Sequence, residues 1–428
     1  MIVHFIETIC IIWEGKYMKK MMAMLLSAAM CLGLTACGSA STTAQTEETT
    51  TVTEEKEAAN ATEKAETAEE TATSSDGKKL KIGYTFWDLP VAGICIDGAN
   101  QIKLAAEALD VELLFNPNND DISAESVVAA VENFAASGCD GVVVINFSEA
   151  SMATISQICK ENEMMFIQAT RTIEDEEIKS LVEANPYYVG RFHEDEYGTA
   201  YGLAEQLAAT GAKNVAMISS YHGDSAYEAR AQAYRDACDD LGMNLVTEQW
   251  DLPDDATATE TLVNMLTAYP EIDGILAVKS NYVTYLVTAE ETVGITDYLP
   301  CVGVDFDTTL GENIEKGQIT AVAGGHHADA TFALITLVNA LNGAYDQSEF
   351  PIDITNAMMT INGAEEYADY LEWCIGYDED FYHRQNLTAE EIQNLCILYN
   401  PDAKLEDIAN MAGNMSLQDV KKRHAGLF

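Results

Sequence analysis

From residue 80 onward the apolar positions follow two alternating patterns. Short unbroken apolar runs, rich in Val, Ile and Leu, predict buried strands at 80–86, 111–115, 141–146 and 165–169, and again at 214–219, 244–248, 274–278 and 301–305. Between them lie longer stretches whose apolar residues recur at helical spacing, as at 92–109, 122–137, 226–241 and 257–268. Strands joined by helices must run parallel, because a crossover helix returns the chain to the same end of the sheet. The pattern therefore predicts α/β units with helices on both sheet faces.

The two halves echo each other. A-A-S-G-C-D-G-V-V-V at 135–144 has its counterpart in T-A-Y-P-E-I-D-G-I-L at 267–276. In each, a helix ends, an Asp-Gly turn follows and a buried strand begins. The expected architecture is two doubly wound parallel-sheet lobes joined by a hinge, with a ligand cleft at the carboxyl ends of the strands. Beyond residue 364 a helical C-terminal extension is expected. Its helix-start signals are N-L-T-A-E at 386–390 and S-L-Q-D at 416–419, with Ile392, Leu395, Ile397 and Leu398 between them. These helices are expected to dock on a lobe or on the hinge.

The N-terminal part obeys different rules. At Met18 the chain reads M-K-K and then an apolar stretch to Leu34, the charged and hydrophobic regions of an export signal. That stretch is too short to span a bilayer. Leu34-Thr35-Ala36-Cys37 follows, and resembles a bacterial lipobox, which implies lipidation at Cys37 and an extracytoplasmic, lipid-anchored protein. Residues 1–17 place two glutamates in an apolar run ahead of a complete signal peptide, and read as an upstream extension. Residues 38–78 are Ser, Thr, Ala and Glu with almost no large apolar side chain, a composition that cannot offset its ordering entropy and predicts a disordered acidic tether.

Charge narrows the partners. The formal net charge is -47, from 70 acidic and 23 basic residues, so nucleic acid is not an expected partner. Ten cysteines contain no C-x-x-C pair, and are expected mostly as buried thiols, with one disulfide left open. No G-x-S-x-G, P-loop or H-E-x-x-H pattern occurs. Adjacent His326 and His327 lack a third ligand at usable spacing. No catalytic activity, metal or cofactor is expected.

From about 80 to 341 the chain resembles the ribose-binding-protein-like family of type 1 periplasmic binding proteins. The resemblance is carried by the first strand running into Pro90 and Asp97-Gly98-Ala99, by 137–144, by Gly223-Asp224-Ser225-Ala226 leading to Arg230, by Leu266 to Pro270, and by Val302-Gly303-Val304-Asp305. It implies lobes that close on a sugar or related solute and deliver it to an ABC permease, the protein acting as a monomer. The alternative is a surface sensor that signals to a chemoreceptor or kinase. Repressors of similar architecture carry a DNA-binding module where this chain has a leader and tether.

The resemblance also implies ligand positions: Arg171, Arg230 and Asp305, whose guanidinium and carboxylate groups suit paired sugar hydroxyls. Departures from the family pattern are Thr170 in place of an aspartate, Leu89 before Pro90, and Val91-Ala92 where aromatics are usual. Trp87 is the expected replacement aromatic, with Phe86, Trp250 or Tyr221 as others. Lys279 stands where an Asn is common, and His326 near a late Gln. A pocket of Arg171, Arg230, Lys279 and His326 with only Asp305 opposing implies an acidic or acceptor-rich solute. Arg230 could instead pair with Glu228 or Asp236, and Asp305 could cap the following helix. His193 and Glu194 are expected to open a helix with Asp195. The resulting division is 1–37 extension and signal peptide, 38–78 tether, 79–190 first lobe, 191–324 mainly second lobe, 325–363 return across the hinge, and 364–428 extension.

Overall fold

The computed structural model describes residues 79–86, 93–117, 121, 123–253, 256–306, 309–375 and 385–426. All of these fall within one compact unit, Ala68–Phe428. The signal peptide, Cys37, the tether and Trp87 lie outside the described residues.

Two six-stranded sheets organise the chain. The first contains β1 (Lys81–Tyr84), β2 (Glu112–Phe115), β3 (Gly141–Val144), β4 (Met165–Ala169), β5 (Tyr188–Glu194) and β11 (Ile352–Asn356), in the order β11-β5-β4-β3-β1-β2. Every neighbouring pair in it is parallel. The second contains β6 (Asn214–Ile218), β7 (Asn244–Gln249), β8 (Gly274–Ala277), β9 (Cys301–Val304), β10 (Ala321–Gly324) and β12 (Met359–Ile361), in the order β12-β10-β9-β8-β6-β7. Only β12 runs antiparallel to its neighbour. The sheets have the same order around equivalent strands, as the internal repeat requires.

Helices cover both faces, so central strands such as β3, β8 and β9 are buried at every position. The first lobe carries α1 (Gly93–Ala108), α2 (Ala124–Ala136), α3 (Glu149–Glu161) and α4 (Glu176–Glu183). The second carries α5 (Glu196–Ala209), α6 (Ser225–Leu241), α7 (Thr257–Ala268), α8 (Val283–Val293) and α9 (Leu310–Glu315). Close packing fixes some residues outright. A side chain at Gly83 would place its Cβ 2.4 Å from the Phe134 ring of α2.

Because β5 and β6 belong to different sheets, the chain passes between lobes after Glu194, then again after β10, and a third time between β11 and β12. Helix α10 (Asp329–Leu341) follows the second passage and packs on β3, β4 and β5. Residues Asp329 to Ala340 of it are all buried, because α1 and the extension together cover its other side.

Strand β5 corrects one expectation. His193 and Glu194 close this strand, whereas only Asp195 serves the helix, accepting from the Gly198 amide at 2.8 Å. The strand is polar along one face because Arg191 and His193 both meet Asp353 of β11, Arg191 at 2.6 and 3.0 Å and His193 at 3.1 Å. The described thiols, Cys139, Cys159, Cys238, Cys301, Cys374 and Cys396, are buried, and none of them is in a disulfide.

Candidate ligand-binding cleft

The carboxyl ends of both sets of strands meet at the lobe junction, and charged side chains collect there. Arg230, on the first turns of α6, is 2% exposed. Its guanidinium donates to both oxygens of Glu196, at 2.6 and 3.0 Å, and to the Val278 carbonyl at 3.1 Å. Asp305 lies 3.6 Å away on its other side. Neither Glu228 nor Asp236 is its partner: Glu228 meets His222, and Asp236 accepts from Tyr197 and Gln232.

Asp305 follows β9 with a left-handed backbone, φ 81°. It does not cap the next helix, whose N-cap is Thr309. Its carboxylate faces Arg230 and also His326 at 3.5 Å. Burial pushes its carboxyl up, but Arg230, His326, Lys279 and Arg171 hold it below the usual carboxylate range. Burial likewise works against charge on Arg230, and Glu196 and Asp305 overcome it. His326 is driven down by burial in spite of Asp305. At neutral pH it is a neutral imidazole that can both donate and accept.

Arg171 reaches across the cleft. It follows β4, donates to the Thr170 carbonyl at 2.9 Å, lies over the Phe147 ring at 5.0 Å, and pairs at 3.4 Å with Asp224 of the second lobe. Asp224 is held in turn by α6, whose first amides, Ala226 and Tyr227, donate to its other oxygen at 2.9 and 3.3 Å. Beside this bridge is a cavity of about 720 Å³. It is lined by Thr170–Thr172 and Glu174 from the first lobe, His193–Tyr197 from the first passage, and Gly223 and Ser225–Ala226 from the second lobe.

Arg171, Arg230, Asp305 and His326 therefore lie in one network, with Lys279 half-buried at the end of β8 and acting electrostatically on Asp305. Of the aromatics, Phe86 is buried against Tyr84 and Phe147. Trp250 stacks on His222 with ring centroids 3.9 Å apart, and Tyr221 is 42% exposed and edge-on to Tyr227.

The expectation of a cationic pocket opposed only by Asp305 is corrected. Glu196 and Asp224 answer Arg230 and Arg171, and His326 is uncharged. Neither of these carboxylates was expected in the cleft, nor was Phe147, and Glu194 was expected only to open a helix. Asp224 lies inside the G-D-S-A segment already singled out, which was its one available signal. Glu196 belonged to an acidic run that reads equally well as a helix start. Among the described residues, no group of three or more His, Cys, Asp or Glu is placed to hold a metal ion.

Two lobes with equivalent parallel sheets, three passages between them and a polar cleft at the strand ends define a hinged binding protein. The chain belongs to the periplasmic binding protein domain family, which matches residues 82–344. Its fold is that of solved type 1 periplasmic sugar-binding proteins. An ABC transporter solute-binding protein from Actinobacillus succinogenes with bound D-allose has a TM-score of 0.59 at 20% identity, covering 68% of this chain and 100% of its own. One from Bacillus halodurans with bound myo-inositol has a TM-score of 0.58 at 18% identity, covering 69% and 99%. The arabinose-transporter binding protein from Shewanella has a TM-score of 0.58 at 17% identity, covering 68% and 94%. No curated protein matches the sequence significantly.

Proposed function

We propose that the chain is an extracytoplasmic, monomeric lipoprotein, lipidated at Cys37, that captures a sugar or polyol between its lobes and hands it to an ABC permease. Family membership and neighbours solved with allose, inositol and arabinofuranose support the solute class. The observation that carries the cleft assignment is the Arg230–Glu196–Asp305–His326 cluster facing the Arg171–Asp224 bridge. Such a set presents donors and acceptors side by side, as vicinal hydroxyls need.

The charge balance selects among sugars. A carboxylate or phosphate entering the cleft would meet Glu196, Asp224 and Asp305 as well as the arginines, and would have to displace a carboxylate to gain a cation. A neutral polyhydroxylated ligand displaces nothing of like charge. We therefore favour a neutral sugar or polyol over the acidic solute that the sequence suggested. Ligand contacts from both lobes stabilise the closed form by their differential affinity for it, and the permease reads closure.

Calorimetric titration tests this with D-allose, myo-inositol and L-arabinose beside glucuronate and a sugar phosphate. Saturable binding of a neutral member is expected. Binding of the acidic members alone would reject the charge argument, and binding of none would reject the sugar class.

A further inference from the structure

The extension from residue 363 lies outside the matched family segment, and its described residues form α11 (Gly363–Trp373), α12 (Ala389–Asn394), α13 (Leu405–Gly413) and α14 (Leu417–His424). They do not all rest on the same lobe. Helix α11 belongs to the second: it packs on α9, and Tyr370 meets Phe306 edge-on, with ring centroids 4.7 Å apart. Helix α12 belongs to the first. Just before it, Leu387 exchanges two backbone hydrogen bonds with the Gln101 side chain of α1, both at 3.2 Å, and Gln393 donates to the Ala108 carbonyl at 2.9 Å.

Helix α14 joins these two. Lys421 pairs with Asp369 of α11. Arg423 pairs with Glu391 of α12 and donates to the Asn386 carbonyl at 3.0 Å, while His424 meets the other oxygen of Glu391 at 3.1 Å. Val420 is buried and His424 is 1% exposed. In a chain with only 23 basic residues, Lys421, Lys422 and Arg423 stand together in the last turn of this helix, where cations are favoured. The same extension holds the passages between lobes from outside. Asn386 donates to the Gly325 carbonyl at 2.8 Å, and the Ala357 amide donates to the Ala412 carbonyl at 3.0 Å.

We propose that α14 is a tie across the hinge side of the two lobes, which restrains their opening and sets the open-to-closed ratio of the ligand-free protein. A hinge otherwise limited by three chain passages must here also part α14 from α11 or from α12 before the lobes can swing. Affinity rises with such a restraint, since less of the ligand's binding free energy is used to close the cleft.

The test is the interlobe distance distribution in ligand-free protein, measured with bioorthogonal labels at the exposed positions Lys160 and Glu271. Arg423→Met keeps the apolar stem and removes the link to α12. It is expected to lengthen the mean distance and raise the open-to-closed ratio roughly tenfold, at unchanged far-UV circular dichroism. Lys421→Ala, at a part-exposed pair, is expected to shift the ratio the same way by about two- to fivefold. Distributions that superimpose on the unaltered chain overturn the proposal. If Arg423→Met fails to fold, the Lys421→Ala distribution decides alone, and no shift there overturns it. The readout needs no ligand, so it stands or falls independently of the sugar assignment.

Discussion

Asp97→Asn offers a direct test of how burial at the hinge is balanced. Asp97 sits in α1, which packs against the turn His326–Ala328 on the second passage between lobes. It is 4% exposed and its Oδ1 has no hydrogen-bond partner. Burial alone pushes its carboxyl up from 3.8 to about 7. A raised carboxyl binds its proton more tightly in the folded state, so stability is greatest at low pH and falls as pH rises from the unfolded value through the folded one. A shift of roughly three pH units at about 1.4 kcal/mol each sets an upper bound of ~4 kcal/mol on this penalty at alkaline pH. Between pH 5 and 8 the same shift predicts a fall of ~2.5 kcal/mol from this residue. Asn cannot ionise. Urea unfolding of both proteins at pH 5, 6, 7 and 8 should therefore show Asp97→Asn gaining on the unaltered chain by that amount across the range, with the other titrating groups cancelling in the difference. Parallel pH profiles would refute the assignment of a buried, proton-holding Asp97.

Other expectations follow from the cleft. Arg230→Met leaves Glu196 and Asp305 without their common cation, and should destabilise the fold by about 3–5 kcal/mol in urea titrations while abolishing measurable ligand binding; unchanged stability would mean the network is not formed. Asp224→Asn retains an acceptor for the first amides of α6 but frees the Arg171 charge, so acidic sugars should gain affinity by about tenfold relative to neutral ones in calorimetry. Glu194 and Asp329 meet in the hinge; burial raises both carboxyls, that of Asp329 to about 7, and the Asp329 charge adds to the rise at Glu194. Glu194→Gln should accordingly flatten the loss of thermal stability between pH 6 and 8, and a profile as steep as the original would argue against a shared proton.

Much of the fold was legible because parallel strands buried on both faces must be apolar throughout. G-V-V-V at 141–144 and C-V-G-V at 301–304 admit no other reading once helical stretches flank them. Strand β5 escaped notice for an equally physical reason. Y-V-G-R-F-H-E breaks its apolar run at Gly190, where φ is +144° and a Cβ would lie 2.0 Å from the Ile352 carbonyl. Arg191 and His193 then serve Asp353 on the neighbouring strand, a pairing 160 or more residues distant in sequence. β12, at three residues, is too short to stand out, and β10, A-V-A-G, is mostly Ala and Gly, which carry little strand signal.

The cleft was half legible, and its two left-handed residues explain which half. Thr170 after β4 and Asp305 after β9 occupy equivalent places in the two sheets, with φ of 68° and 81°. Such backbone in non-glycine residues is strained by roughly 1–3 kcal/mol and persists where the surroundings hold it. The resemblance to sugar-binding proteins pointed to both strand ends and implied an aspartate before Arg171, where this chain has Thr170. The turn survives that substitution, and the missing carboxylate is supplied from the other lobe by Asp224 at 3.4 Å. No local pattern could announce this, since Asp224 is one of 70 acidic residues and lies 53 positions from its partner. Moving the carboxylate across the cleft also changes what it does. Beside Arg171 it would only orient the guanidinium within one lobe, whereas from α6 it couples that guanidinium to closure. A ligand that engages Arg171 must therefore compete with an interlobe contact already made, which favours solutes able to hydrogen-bond both partners at once over those that attract only the cation.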